Sequence, residues 1–179
     1  ACDCTGHGVP GALLSIVCHH ALNRSVREFG LTTPSLILDQ TRRIIHQLFE
    51  SSEENIKDGM DISLCTFDTG TYNLEWAGAN IPLWLITNNQ FSEVRGDRQS
   101  ISKIENPLPF KNHSFQLNPG DTIYIFSDGY ADQFGGENQK KLTKKKFRDL
   151  ICSSHSEYIK DQGRVLENFI NDYRFLLYK

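Results

Sequence analysis

Long apolar runs are absent from this sequence. None approaches the roughly 18 residues that a membrane-spanning helix requires, and no segment resembles a signal peptide. The net charge is only −3, which provides no general attraction to nucleic acid or to an anionic membrane. Repeats, linkers and low-complexity segments are also missing. We therefore expect a domain that contacts neither nucleic acid nor a membrane.

Cysteine is present, but without the pattern of a disulfide framework. The cysteines form an odd set with irregular spacing: Cys2, Cys4, Cys18, Cys65 and Cys152. Scattered cysteines in odd number are typical of reduced thiols in a cytosolic protein. The predicted location is therefore the cytoplasm.

The chain also lacks an initiator methionine and opens at Ala1-Cys2-Asp3, in what resembles the end of a strand. Its 179 residues have the size of one domain and are enough to bury a substantial core. We expect a single domain over residues 1–179 that is a fragment of a longer, multidomain polypeptide.

A glycine-rich turn precedes the first predicted helix. Apolar residues recur every three or four positions over residues 12–22, with Pro10 in the first turn and Gly30 as the predicted C-cap. This helix is apolar around much of its circumference, so we expect it to be largely buried.

Further helices are predicted after it. The second helix has Thr33 as its cap and Pro34 at its first position, and it ends at a solvated loop over residues 51–55. Helical spacing returns near the carboxyl end, over residues 143–152 and 165–173.

The middle of the chain predicts β-strands. Alternating side chains predict a hairpin over residues 62–77, and a turn at residues 88–89 continues an antiparallel meander. Residues 95–112 are polar and are predicted as a loop. Residues 122–127 are apolar without alternation, which predicts a strand buried on both faces. The predicted fold class is α+β, an antiparallel sheet system covered by helices.

Two short stretches place an aspartate where a predicted strand runs into a turn that contains glycine. Asp3 precedes Gly6 and Gly8 near the amino end, and Asp128 precedes Gly129 much later in the chain. Aspartate oxygens suit hard cations such as Mg²⁺ and Mn²⁺, which commonly activate water for attack on phosphorus. The two stretches together indicate a metal-dependent phosphatase.

Each stretch also has a simpler interpretation. The second is a common turn dipeptide, although Asp132 could share one site with Asp128 if the segment coils into a turn. Asp3 could merely cap the helix that follows. The amides around Gly6 and Gly8 could alternatively cradle a phosphate, but the stretch is too short for a dinucleotide or P-loop motif.

Zinc binding and a cysteine nucleophile are further alternatives. Cys2, Cys4 and His7 lie close together, but only one residue separates the cysteines, whereas paired zinc ligands usually have two to four between them. No cysteine is paired with a histidine in a way that indicates a nucleophile. The basic cluster at residues 140–146 is interpreted as a solvated helix start or as a surface that recruits an acidic or phosphorylated partner.

Three stretches resemble the metal-dependent protein phosphatase (PPM) superfamily, in particular its bacterial branch typified by the sporulation stage II protein E serine phosphatase. They are residues 3–12, 76–84 and 120–136. Three matches in the same order are more specific than any one alone. The resemblance covers about residues 1–150 of the chain. It implies an αββα sandwich of antiparallel sheets, whose first and last strands we expect this chain to lack.

The resemblance also implies a site for two Mn²⁺ or Mg²⁺ ions, with a bridging hydroxide that attacks the phosphorus of a phosphoserine or phosphothreonine. By its place in the motif, Asp3 resembles the carboxylate that bridges both ions, and the Cys4 carbonyl resembles a backbone ligand. Asp128 resembles a ligand of one ion, and Asp132 a ligand of a weaker accessory site. Asp3 and Asp128 are therefore the predicted catalytic residues.

The surrounding turn residues receive roles from the same resemblance. His7 follows Asp3 less closely than the general acid of some superfamily members does, so it is predicted either as a general acid or as a residue that orients the turn. Gly6, Gly8 and Gly129 are predicted to let the phosphate approach the backbone.

Two departures from the family pattern bear on activity. The chain lacks the upstream acidic ligand and the carboxyl-terminal paired-aspartate motif, and Asp172 is a poor substitute because its segment is predicted to be helical. If these residues were the whole molecule, we would expect weak metal binding, weak or no catalysis, and self-association as a homodimer through open strand edges.

The resemblance implies a bacterial cytoplasmic phosphatase that is driven by an attached sensory domain. Its expected substrate is a phosphorylated regulatory protein, such as an anti-sigma-factor antagonist. The alternative is a catalytically inactive, phosphatase-like signalling or binding module. A zinc-binding regulatory domain is the third hypothesis.

Overall fold

The part of the chain that the computed structural model describes consists of residues 1–49, 58–104, 106–137 and 139–175. It divides into two compact units, Ala1–Phe126 and Ser127–Lys179. The solvated loop predicted at residues 51–55 lies outside the described residues. Among those that are described, no helix is long and apolar enough to cross a membrane.

The described part of the first unit combines two helices with two antiparallel sheets. In chain order its elements are β1 (Cys2–Cys4), α1 (Gly8–Arg27), α2 (Pro34–Phe49), β2 (Gly59–Asp68), β3 (Asn73–Ala79), β4 (Leu83–Thr87), β5 (Gln90–Val94), β6 (Ile101–Ser102), β7 (His113–Gln116) and β8 (Thr122–Tyr124). The first sheet has the order β1-β2-β3-β7, with β6 paired to β2, and the second has the order β5-β4-β8. These elements confirm the predicted fold class.

Two apolar layers hold the first unit together. On one face of the first sheet, Leu38 and Ile45 of α2 pack with Ile62 of β2. On the other face, Trp76 of β3 packs with Leu85 of β4 and so joins the two sheets. The first sheet therefore lies between a helical layer and the second sheet.

Side chains of β2 alternate between these two layers. Ile62 packs in the helical layer and Cys65 packs in the layer between the sheets. Because side chains alternate along a strand, Asp61 and Ser63 lie on the same face as Cys65. The Ser63 hydroxyl accepts a buried hydrogen bond of 2.7 Å from the indole nitrogen of Trp76.

The prediction that the first helix is largely buried was wrong for one side of α1. Cys18 and Ala21 are buried, but Val9, Leu13 and Ile16 are 73%, 59% and 65% exposed. The helix packs on the sheet along a single stripe, so its apolar opposite side faces solvent.

The ends of the two helices follow the sequence signals more closely. α2 begins at Pro34, as predicted, and its first turn closes with a bond of 3.0 Å from the Ile37 amide to the Thr33 carbonyl. α1 ends with Glu28 as its C-cap, and Gly30 follows with a φ of +64°. The predicted C-cap glycine therefore lies just beyond the helix end.

Two strand predictions were wrong in detail. β8 ends at Tyr124, and Ile125 is 36% exposed, so this segment is not buried on both faces. The reason is that β8 lies at the edge of its sheet. The loop predicted at residues 95–112 contains the short strand β6, which pairs with Gly59 and Met60.

The described part of the second unit contains a short hairpin followed by two helices. Its elements are β9 (Phe134–Gly135), β10 (Lys140–Lys141), α3 (Lys144–Ser154) and α4 (Ile159–Phe175). The helices confirm the predicted carboxyl-terminal helices, with Thr143 as the N-cap of α3. The basic cluster does start a helix at residues 144–146, but Lys140 and Lys141 belong to the hairpin instead.

The bond between Ser63 and Trp76 predicts a stability effect. Ser63→Ala removes the acceptor of a buried indole N–H, so we expect the free energy of unfolding to fall by about 1–3 kcal/mol. Urea denaturation measures the change. Ser114→Ala is the matched control, because its exposed hydroxyl donates only on the surface, to Asn73. Equal losses in both variants would contradict this role of the buried bond.

Candidate metal centre

The amino-terminal part of the candidate site is built on the short strand β1. β1 pairs with β2 so that Asp3 lies opposite Asp61. Opposed residues of an antiparallel pair point to the same face, which for Asp61 is the face turned toward the second sheet. Two carboxylates thus lie side by side at the end of the sheet. Their mutual repulsion favours a cation between them.

Asp61 is oriented by two donors from neighbouring loops. Its Oδ1 accepts hydrogen bonds from Ser100 Oγ at 2.6 Å and from Asn80 Nδ2 at 2.9 Å. Asn80 follows β3 with a φ of +58°, a left-handed conformation that asparagine tolerates. Sequence reasoning missed Asp61 as a partner of Asp3, because only the strand register brings the two together.

The backbone of β1 turns the Cys4 carbonyl away from β2. Ala1 and Ser63 exchange hydrogen bonds of 3.0 and 2.9 Å, and the Thr5 amide donates to the Gly59 carbonyl at 2.9 Å. Hydrogen-bonded pairs alternate along an antiparallel ladder, so the carbonyl of Cys4 points outward. This direction fits the backbone ligand that the motif predicts.

A glycine turn carries the chain from β1 into α1. Gly6 and Gly8 have φ values of +88° and +67°, and a Cβ on Gly11 would lie 2.8 Å from the carbonyl oxygen of Gly6. Such conformations and contacts require glycine. His7 is the N-cap of α1, but its side chain forms no capping hydrogen bond. The first-turn amides therefore receive no acceptor from His7, and a helix N-terminus of this kind suits an anion.

The first-unit candidates share one open cleft of about 390 Å³. Asp3, Cys4, His7 and the glycine turn line it, and Cys18 lies in its wall. Burial, and after it the neighbouring Cys4 thiol, raise the pKa of the Cys18 thiol to about 12. A thiol with such a pKa stays protonated at neutral pH and is a poor nucleophile and metal ligand.

The oxygen donors of β1 fit a hard cation better than zinc. The Asp3 carboxylate and the Cys4 carbonyl offer oxygen, which Mg²⁺ and Mn²⁺ prefer. Within the described ranges of the chain, no three His, Cys, Asp or Glu residues form a group that could hold a metal ion. Cys2, Cys4 and His7 thus do not form the zinc site considered as an alternative.

The second unit holds the other candidates on one turn. The amide of Asp132 donates to the carbonyl of Asp128 at 2.9 Å, with Gly129 inside the turn, so the segment coils into a turn. Asp128 is exposed, and the Asp132 carboxylate forms an ion pair with Lys141. Asp3 and Asp128 belong to different units, so their meeting at one site stays a prediction.

Solved structures share this fold. The SiaA-PP2C domain of Pseudomonas aeruginosa is 27% identical, with a TM-score of 0.84 over 97% of this chain and 67% of that one. A structure of the PP2C phosphatase domain and a fragment of the regulatory domain of SpoIIE from Bacillus subtilis is 15% identical. Its TM-score is 0.68 over 97% of this chain and 48% of that one. The structure of the RsbU and RsbW domains of Rv1364c from Mycobacterium tuberculosis is 22% identical, with a TM-score of 0.70 over 97% of this chain and 47% of that one. The fold is that of PP2C-type protein phosphatase domains.

A family model identifies the branch. The model described as stage II sporulation protein E (SpoIIE) matches residues 1–172. The chain therefore belongs to the SpoIIE family of the PPM phosphatase superfamily, which confirms the resemblance seen in its motifs. No curated protein sequence gives a significant match. The chain spans about half the length of two of the solved relatives.

The raised pKa of Cys18 predicts selective thiol chemistry. Iodoacetamide at about pH 8 should modify the exposed Cys2 in the native protein and leave the buried Cys18 unmodified, because alkylation requires the thiolate. Peptide mass spectrometry measures both fractions. In urea the two residues should react alike, since unfolding removes the burial that raises the pKa. Equal labelling in the native state would contradict the packing described for Cys18.

Proposed function

We propose that the protein is a metal-dependent protein serine/threonine phosphatase that acts on a phosphoserine or phosphothreonine of a bacterial regulatory protein. One observation carries the proposal: the strand register sets the Asp3 carboxylate beside that of Asp61, and β1 runs through the glycine turn directly into the first turn of α1. Oxygen donors for cations thereby adjoin amide donors for an anion. Membership of the SpoIIE family supports the same activity.

The proposed cofactor is Mn²⁺ or Mg²⁺, with two ions in the complete site. Asp3, Asp128 and the carbonyl of Cys4 would hold them, and Asp132 would hold an accessory ion, because all four offer oxygen. When bound, such ions supply an activated water and neutralise charge on the phosphoryl oxygens. A related structure, RsbX, was solved in complex with magnesium.

The chain's own groups would position the phosphate. The first-turn amides of α1 can donate to phosphoryl oxygens, and Gly6 and Gly8 keep that backbone accessible. Gly129 would likewise keep the backbone beside Asp128 accessible to the phosphate. His7 lines the cleft at the N-cap of α1, where its imidazole can give a proton to the leaving hydroxyl oxygen.

The proposed partner is a phosphorylated regulatory protein in the cytoplasm, with an anti-sigma-factor antagonist as the expected type. We also propose an attached regulatory module. Two observations on relatives support this: one structure includes a fragment of a regulatory domain, and another includes an RsbW domain. This chain corresponds to 48% and 47% of those chains, so both relatives carry additional segments.

A phosphatase-like binding module is the second candidate function. The ion pair between Asp132 and Lys141 favours it, because an ammonium group already neutralises one of the predicted metal ligands. The two candidates differ in turnover, and a single enzymatic assay separates them.

The assay is hydrolysis of para-nitrophenyl phosphate, with and without millimolar Mn²⁺, by the protein that contains this chain. We expect turnover that depends on Mn²⁺ and falls by about 100-fold in Asp128→Asn, because the variant loses a charged ligand. Asp149→Asn is the matched control: it removes an exposed carboxylate of α3 that pairs with Arg148, and it should retain turnover.

The assay has a clear negative outcome. Absence of turnover, both in this chain and in a longer protein that includes its flanking segments, would overturn the phosphatase proposal and support the binding module. Turnover in the longer protein alone would show that flanking segments complete the site.

A second prediction concerns Asp61. Asp61→Asn should weaken Mn²⁺ binding by about 10-fold, because it removes the charge that adjoins Asp3 across the strand pair. Isothermal titration calorimetry measures the affinity. Asp68→Asn makes the same charge change at the far end of β2, in a turn with Thr71, and should bind Mn²⁺ like the wild type. Unchanged binding in Asp61→Asn would remove Asp61 from the site.

A further inference from the structure

An ion pair already neutralises the carboxylate at the end of the Asp128–Asp132 turn. Nζ of Lys141, in β10, donates to Oδ2 of Asp132. The two side chains are 50% and 47% exposed, so dissolved ions can reach the pair. The ammonium group thus already occupies one oxygen of this carboxylate.

The backbone fixes the two partners side by side. The amide of Leu142 donates to the carbonyl of Gln133, and the amide of Thr143 donates to the carbonyl of Ala131, each at 2.9 Å. These bonds tie the residues that follow the lysine to the residues on both sides of the aspartate. The pairing of the two side chains follows from this register.

The hairpin that carries the lysine is itself anchored to α4. The amide of Gly136 donates to the carbonyl of Tyr173 at 2.9 Å, and the Tyr173 hydroxyl donates to the carbonyl of Lys140 at 2.8 Å. The ring of Phe134 lies 6.0 Å from Nζ of Lys141, a distance at which an aromatic face attracts an ammonium group. Lys141 therefore projects from an ordered strand.

We infer that the Lys141 ammonium is a built-in competitor of the accessory divalent cation at Asp132. The inference rests on the proposed function, since it takes Asp132 as an accessory ligand. A cation that binds Asp132 must first displace the ammonium group and then tolerate its positive charge nearby. Lys141 thus tunes the metal affinity of this position without touching the phosphate.

The size of the effect follows from the exposure of the pair. Exposed ion pairs shift an equilibrium by about twofold to fivefold, and repulsion between the ammonium group and a divalent ion adds to this. Removing the ammonium should therefore raise the affinity of the accessory position about fivefold. The affinity for the tightly bound ions, which other ligands hold, should not change.

The experiment is a manganese chloride titration of the purified protein, with free Mn²⁺ measured by electron paramagnetic resonance. Lys141→Met should bind its weakest class of Mn²⁺ about fivefold more tightly than the wild type. Lys140→Met is the matched control, because it loses the same charge from the other side of β10. Lys141→Arg should resemble the wild type, and adding Asp132→Asn to Lys141→Met should abolish the gain.

The outcomes separate this inference from the proposed function. The inference alone would be overturned if Lys141→Met and Lys140→Met bound the weakest class of Mn²⁺ with equal affinity, while tight Mn²⁺ binding and turnover were intact. A wild type with neither tight Mn²⁺ binding nor turnover would overturn the proposed function and the inference together. Lys141→Gln takes the place of Lys141→Met in the comparison if circular dichroism shows that the latter does not fold.

Discussion

The pairing of β1 with β2 is the constraint on which the first-unit half of the site depends. Only three residues of β1 join the ladder, yet their register sets Asp3 beside Asp61 and directs the Cys4 carbonyl away from the sheet. The same register starts the glycine turn that leads into α1. A slip by one residue would exchange the faces of Asp3 and Cys4 and so separate the proposed ligands. The arrangement of these oxygen donors is therefore a consequence of strand register.

Local patterns in the sequence predicted much of the fold. Helical spacing and Pro34 located α2, and alternation located the hairpin of β2 and β3. The predicted turn at residues 88–89 is also present, with Asn88 and Asn89 at φ values of +50° and +60°. These features depend on neighbours a few positions apart, which is why a single sequence reveals them. The family motifs in the sequence likewise identified Asp3 and Asp128 as candidate site residues.

The features that the sequence did not reveal depend on contacts between distant or differently paired segments. Asp61 became a candidate only through its strand partner, and Lys141 only because a short hairpin replaced the expected helix start. Burial was the other difficulty. The apolar residues of α1 predict a buried helix. The sequence pattern does not reveal which sides of the helix other elements cover, and Leu13 is exposed. β8 is similarly more exposed than its apolar composition predicts, because it lies at the edge of its sheet.

β1 also divides two kinds of chemistry across a single layer of backbone. The Cys4 side chain packs in the helical layer beside Cys18, whereas Asp3 alternates to the opposite face. Sulfur therefore lies on one side of the strand, and the carboxylate of Asp3 lies on the other. The carbonyl of Cys4 points in a third direction, away from β2 along the plane of the sheet. The thiol of Cys4 and the carbonyl oxygen proposed as a metal ligand thus belong to one residue but face different surroundings.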